Sequence, residues 1–197
     1  MVIRKTKFFT IKLATTSIMT IIPIIFAEAG EMPEGASVQS GQVKITGTNS
    51  NYMVIDQATS KSIINWNSFS INPQGRVDFN MPTSSSSSLN RVTGSTPSKI
   101  AGQLNSNGKV LLINPNGVLI TPTGAVKTNS FTASSLDINN NDFLNDNHTF
   151  SGKGGSKGVS NSGTIIIGDG GSASFLGSYV SNSGTVTARL GKILLGA

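Results

Sequence analysis

Cysteine is absent from the 197 residues. That excludes a disulfide framework, a Cys-ligated zinc or iron–sulfur centre and a thiol nucleophile. The single histidine, His148, is the one imidazole available to a Ser-His-Asp arrangement, and a multi-His metal site is impossible. Charged residues make up 12% of the chain and aromatics 6%. With mean hydropathy at +0.01, this is not a highly charged disordered chain. Length sets one domain as the expectation.

The basic excess is concentrated at the start. Arg4, Lys5, Lys7 and Lys12 precede an uncharged, largely apolar run from Leu13 to Phe26, followed by Ala27-Glu28-Ala29 and Gly30. This is the order of a secretory signal peptide over residues 1–29, with cleavage between Ala29 and Gly30. Fourteen apolar-run residues reach only ~21 Å as a helix, short of a ~30 Å hydrocarbon core. A short anchor or buried helix is the alternative. The 168 residues that remain carry eleven basic and eight acidic groups, a net +3. No Lys/Arg cluster interleaved with aromatics is left to bind nucleic acid.

From Gly30 onward no long 3.6-residue apolar repeat occurs. Short β-branched runs recur instead, among them Met53-Val54-Ile55, Val110-Leu111-Leu112-Ile113, Val118-Leu119-Ile120 and Ile165-Ile166-Ile167, separated by Gly, Asn, Ser and Pro. That is an all-β pattern. Pro97 to Leu104 is the one expected helical turn, with Pro in the first turn and Ile100 and Leu104 on one face. Val159-Ser160-Asn161-Ser162-Gly163-Thr164-Ile165 recurs 21 residues later as Val180-Ser181-Asn182-Ser183-Gly184-Thr185-Val186. A period near 20 fits one coil of a parallel β-solenoid, with Asn161 and Asn182 stacked as a ladder and about eight coils in all. An antiparallel sandwich with two similar hairpins is the alternative. The final Lys192-Ile193-Leu194-Leu195 is strand-like and uncapped, so the chain is expected to continue or to be part of a longer product.

Asn114-Pro115-Asn116-Gly117 lies between two apolar runs. Pro presets φ at the second position, Gly suits the fourth, and the first Asn can bond back to the chain, so a tight type I turn is expected.

The wider context resembles a family. Ile64-Asn65-Trp66-Asn67-Ser68-Phe69-Ser70-Ile71, Val77-Asp78-Phe79, Leu89-Asn90-Arg91-Val92, Ile100-Ala101-Gly102-Gln103-Leu104, the run from Asn107 to Val118, and Phe131-Thr132-Ala133-Ser134-Ser135-Leu136-Asp137-Ile138 occur in order. This series is similar to the N-terminal secretion (haemagglutination activity) domain of filamentous haemagglutinin-type two-partner secretion exoproteins, across roughly 35–197. It is nearer the high-molecular-weight adhesin type, because Asn72-Pro73-Gln74-Gly75 only partly echoes a second Asn-Pro motif. The resemblance implies a right-handed, single-stranded parallel β-helix with an N-terminal cap and small extra-helical strands or loops over 30–197. It also implies export by the general secretion machinery, then recognition by an outer-membrane β-barrel transporter with periplasmic receptor domains. Folding would nucleate on this domain, at the head of a secreted or surface adhesin of a Gram-negative bacterium. Absence of cysteine suits threading through a barrel.

By the same resemblance, Asn114, Pro115, Asn116 and Gly117 form the secretion motif. Asn90 and Arg91 match a secondary motif; read by themselves they are a loop-capping Asn and a solvated Arg. Trp66 and Phe69 are expected core anchors. The oxygen-rich 137–147 segment is expected to be a protruding loop, its Ca²⁺-loop alternative lacking the closing Glu. Ser84 to Ser88 reads as a low-complexity surface loop, and Asn147-His148-Thr149 fits a glycosylation sequon.

No cofactor is implied, and three function classes stand. They are a secretion module, a self-sufficient binder of glycans or host surfaces, and a β-helix polysaccharide lyase. In the resemblance, adhesion to host surfaces or glycans belongs to downstream sequence. The lyase needs clustered carboxylates, yet residues 30–197 hold six Asp and two Glu, with Glu31 and Glu34 at the very start.

Overall fold

The computed structural model describes residues 31–152 and 157–197. The expected signal peptide and its Ala29–Gly30 cleavage point lie outside them. Two strands open the described chain, β1 (Ser37–Ser40) and β2 (Val43–Thr46). Six coils follow. The first holds β3 (Tyr52–Gln57), β4 (Lys61–Trp66) and a bridge at Ile71, and the second β5 (Arg76–Asn80), β6 (Ser87–Val92) and β7 (Ser98–Ile100). The third holds β8 (Gln103–Ser106), β9 (Lys109–Ile113) and β10 (Val118–Ile120). The fourth begins with β11 (Ala125–Thr128) and β12 (Ser130–Ser134), leaves the coil as β13 (Asp137–Ile138), α1 (Asn140–Leu144) and β14 (Phe150–Ser151), and returns as β15 (Val159–Asn161). The last strands are β16 (Thr164–Ile167), β17 (Ser172–Leu176), β18 (Val180–Asn182), β19 (Thr185–Ala188) and β20 (Lys192–Gly196).

Each strand pairs in parallel with its equivalent one coil away, giving sheets ordered β4-β6-β9-β12-β17-β20, β3-β5-β8-β11-β16-β19 and β7-β10-β15-β18. β1 and β2 pair antiparallel to β4 and β3 and close the first coil. This is the expected capped parallel solenoid, and the sandwich alternative is excluded. The repeat appears as predicted: Val159, Ser160 and Asn161 lie in register with Val180, Ser181 and Asn182. Asn161 donates to Asn182 Oδ1 at 2.8 Å.

Six coils replace the eight expected. Successive inward positions Ser62, Ser88, Val110, Phe131, Ala173 and Ile193 are register partners, separated by 26, 22, 21, 42 and 20 residues. The cap strands and the β13–α1–β14 excursion consume the length that a uniform period assigns to coils.

Inward side chains alternate along each strand, as period-2 geometry requires. Met53, Val77, Leu104, Val126 and Ile165 stack up one wall, and Leu112, Ala133 and Phe175 up another. All are at most 1% exposed. Trp66 and Phe69 anchor the first coil as expected, in an edge-to-face contact at 5.3 Å.

The expected helical turn over 97–104 is instead two strands and a corner. Ile100 and Leu104 both reach the core, but from strands on either side of Ala101-Gly102. Ladder bonds to the coil above win over an isolated turn whose nucleation is costly. Gly102 is required there, since a Cβ would lie 2.2 Å from the carbonyl oxygens of Asn72 and Gly75. The Ser84–Ser88 loop is also corrected. Ser86, Ser87 and Ser88 are buried, and the last two begin β6. No helix among the described residues is long and apolar enough to cross a membrane.

Candidate functional site

Asn114-Pro115-Asn116-Gly117 forms the corner from β9 to β10. Gly117 N–H donates to the Asn114 carbonyl at 2.8 Å and closes the turn. Gly117 has φ +103°, so an L side chain there is strained. Asn114 is fully buried. Its amide donates to Thr96 O and Ser98 Oγ, both at 3.0 Å, and its Oδ1 accepts from Asn116 N at 2.9 Å. Asn116 Nδ2 donates to Gly94 O at 2.9 Å. The motif therefore clasps the 94–98 corner of the preceding coil. Asn114 N–H donates to Ser134 O, which ties the same residue to the following coil.

Asn72-Pro73-Gln74-Gly75 uses the same two bonds, Gly75 N–H to Asn72 O at 2.8 Å and Gln74 N–H to Asn72 Oδ1 at 3.0 Å. What looks like a partial echo in sequence is the same turn at a different corner of the solenoid.

Asn90 and Arg91 sit one coil before the motif, in register with Leu112 and Ile113. The loop-cap and solvated-Arg reading is corrected here. Asn90 lies mid-strand, fully buried, and accepts from Trp66 Nε1 at 3.0 Å. Its amide lies within hydrogen-bonding distance of Ser88 and of Leu111 O. A polar ladder thus runs inside the solenoid: Ser62 Oγ donates to Gln57 Oε1 at 2.6 Å and, its one proton used, accepts from Ser88 Oγ at 3.0 Å. Arg91 points the other way, to the outer face. Its Nε pairs with Asp137 at 2.9 Å and its two amino groups donate to Asn140 Oδ1 and Ile138 O at 2.9 and 2.6 Å.

Those partners belong to the 137–151 excursion, which is more than a protruding loop. Ile138, Phe143 and Phe150 pack on the outer-face residues Ile63, Leu89, Leu111 and Ile113 as a second core. Lys61 secures the far end through Asp146 at 2.7 Å and the carbonyls of Phe143 and Leu144. The Lys61 hydrogen bond holds the Asp146 carboxyl below its ordinary range.

Sequence reasoning missed one further cluster. Tyr52, Arg76, Asp78 and Asn105 meet on the outer face of the first three coils. Asp78 accepts from Tyr52 OH at 2.9 Å, Arg76 Nε at 2.8 Å and Asn105 Nδ2 at 2.8 Å. Burial pushes the Asp78 carboxyl up, but the bonds from Arg76, Asn105 and Tyr52 outweigh it and leave it depressed. The signal was present: Arg76 and Asp78 are two apart in a strand and so share a face.

Asp78, Asp137, Asp146 and Asp169 are each paired with a cation. Among the described residues no three of His, Asp or Glu gather as a metal would require. The Asn114, Asn90 and Arg91 clusters serve corner geometry, interior satisfaction and the docking of the excursion, respectively.

A capped parallel β-solenoid, cross-tied at an Asn-Pro-Asn-Gly corner and carrying a docked outer module, is the architecture that the sequence resemblance to a secretion domain implies. Residues 29–196 match the model of the TPS secretion domain, and the chain belongs to that family. TPS domains are the secretion domains of two-partner secretion exoproteins of Gram-negative bacteria and work with a cognate outer-membrane transporter.

The HMW1 secretion domain from Haemophilus influenzae has a similar structure, with TM-score 0.78 and 36% identity over 84% of this chain and 45% of that one. This agrees with the high-molecular-weight adhesin resemblance. Two curated relatives from Haemophilus influenzae, both named heme/hemopexin-binding protein, are 41% and 35% identical over 113 residues. Those residues are 57% of this chain and 12% of either relative, so the match spans about an eighth of their length.

Proposed function

We propose that this chain is the secretion and targeting module at the head of a longer surface or secreted exoprotein. Residues 1–29 act as a signal peptide cut after Ala29, and the general secretion machinery carries the chain into the periplasm. Periplasmic receptor domains of a β-barrel transporter then recognise residues 30–197. The observation that carries this reading is the family match over 29–196 on a solenoid of that architecture.

Folding nucleates here and proceeds toward later coils. The antiparallel strands β1 and β2 across the first coil support a start at that end. The role proposed for the solenoid is non-enzymatic, and any capture of the kind named for the curated relatives belongs to downstream sequence.

The test is secretion of the chain from a bacterium with and without the partner barrel, scored in medium and periplasm. Barrel-dependent release is expected. Release without the barrel, or permanent periplasmic residence, overturns the reading.

A further inference from the structure

The outer module covers only part of the face on which it sits. Its apolar side chains occupy the outer positions of β4, β6 and β9. Beyond them the outer positions of β12 and β17 include hydroxyl side chains, Ser130 and Thr132, then Ser172 and Ser174, with Leu176 closing the row on β17. A groove of about 630 Å³ opens at this boundary. Leu111, Thr132 and Ser174 form its floor on successive strands, and Leu136, His148 and Phe150 form the wall contributed by the excursion. Continued to Leu194 on β20, the floor crosses three inter-strand steps, about 14 Å.

The lining selects among ligand classes. Thr132 and Ser174 are partly buried, and their side-chain hydroxyls make no hydrogen bond among the described residues. A purely apolar occupant would strip water from both and return nothing. A ligand with its own hydroxyls replaces those bonds, while its carbon faces pack on Leu111, Leu136 and the Phe150 ring. The His148 imidazole adds a donor and an acceptor at the wall. Lys109 stands at the rim, exposed and in no salt bridge among the described residues, close enough to Asp146 to help lower its carboxyl, whereas Lys61 at the equivalent position two coils earlier pairs with Asp146 directly. Lys109 and, farther along the same outer row, the exposed Lys192 give this edge a cationic rim that complements a negatively charged group.

We propose that this groove binds a short acidic oligosaccharide, one bearing a carboxylate or sulfate, with Thr132 and Ser174 bonding its hydroxyls and Lys109 its charge. This is a binding site on the secretion domain itself. It is separate from the corner clasp and independent of whether a partner barrel exports the chain.

The experiment measures binding of the full chain to 3′-sialyllactose, a chondroitin sulfate tetrasaccharide, lactose and palmitate by titration calorimetry and ligand-observed NMR. The two acidic saccharides are expected to bind and lactose to bind more weakly. Thr132→Val and Ser174→Val face outward and preserve strand preference, so each should melt with the parent while weakening the acidic saccharides about tenfold. Lys109→Gln should erase the preference over lactose. Absence of saccharide binding at millimolar concentration overturns the proposal. So does saccharide binding unchanged by both valine variants, and so does binding of palmitate alone, which would make the groove a lipid site.

Discussion

The indole N–H of Trp66 donates to Asn90 Oδ1 at 3.0 Å inside the solenoid, joining the first coil to the second where neither group meets water. Replacing Asn90 by Ala leaves that N–H buried without an acceptor and opens a cavity. We expect a loss of about 2–4 kcal/mol, measured by urea unfolding. Trp66→Phe in the same background should cost less than it does alone, because the shared bond has already gone. Additive losses would show that the two residues act separately.

The clasp residues should differ in weight. Asn114 is fully buried and bonds to the preceding coil twice, whereas Asn116 makes one such bond. Asn114→Ala should cost about 2–3 kcal/mol and Asn116→Ala about 1 kcal/mol. Under the proposed role, barrel-dependent secretion falls in the same order. Asn114→Asp keeps the acceptor but removes both donations, so it should not restore the parent. Equal secretion and melting in all three variants would remove the clasp from the mechanism.

Arg91 holds the excursion by three acceptors arranged for a guanidinium fork. Arg91→Lys reaches one of them at a time. We expect hydrogen-exchange protection at Ile138 and Phe150 to fall in both Arg91→Ala and Arg91→Lys, with the interior of β9 and β12 little changed. Loss of protection throughout would mean that the module is integral to the coil rather than docked on it.

Asp78 sets an acid dependence. Its folded pKa is depressed, so its stabilising contribution is present above the unfolded carboxyl value of about 3.9 and is lost as pH falls through the folded value. The urea midpoint of the parent should drop as pH is lowered from about 5 to about 3. Asp78→Asn should start lower at neutral pH and fall less over that interval. Parallel curves would place the acid sensitivity elsewhere.

Much of the solenoid was legible because it depends on local rules. Period-2 runs, Gly-Asn-Ser corners and the 21-residue echo of Asn161 at Asn182 each report a nearest neighbour along the axis. The Asn-Pro-Asn-Gly turn was legible for the same reason. What it grips at Thr96, Ser98 and Gly94 was not, since those partners are fixed only when coils stack. Asn90 misled because a polar residue next to Arg91 reads as surface, while strand alternation sends one inward and the other out. The coil number was overestimated because a 42-residue step between Phe131 and Ala173 hides two structures in what a period treats as two turns. Pro97 to Leu104 misled because a four-residue apolar spacing arises equally from a helix face and from two strands around a glycine corner.

That long step has an engineering meaning. Between Ser134 and Val159 the chain departs at one corner and returns without disturbing the parallel register on either side. Doubling a loop adds only about 0.6 kcal/mol of closure entropy, so the corner works as a port. Sequence grafted there is displayed beside an unchanged scaffold, provided that Ile138, Phe143 and Phe150 still cover Ile63, Leu89, Leu111 and Ile113.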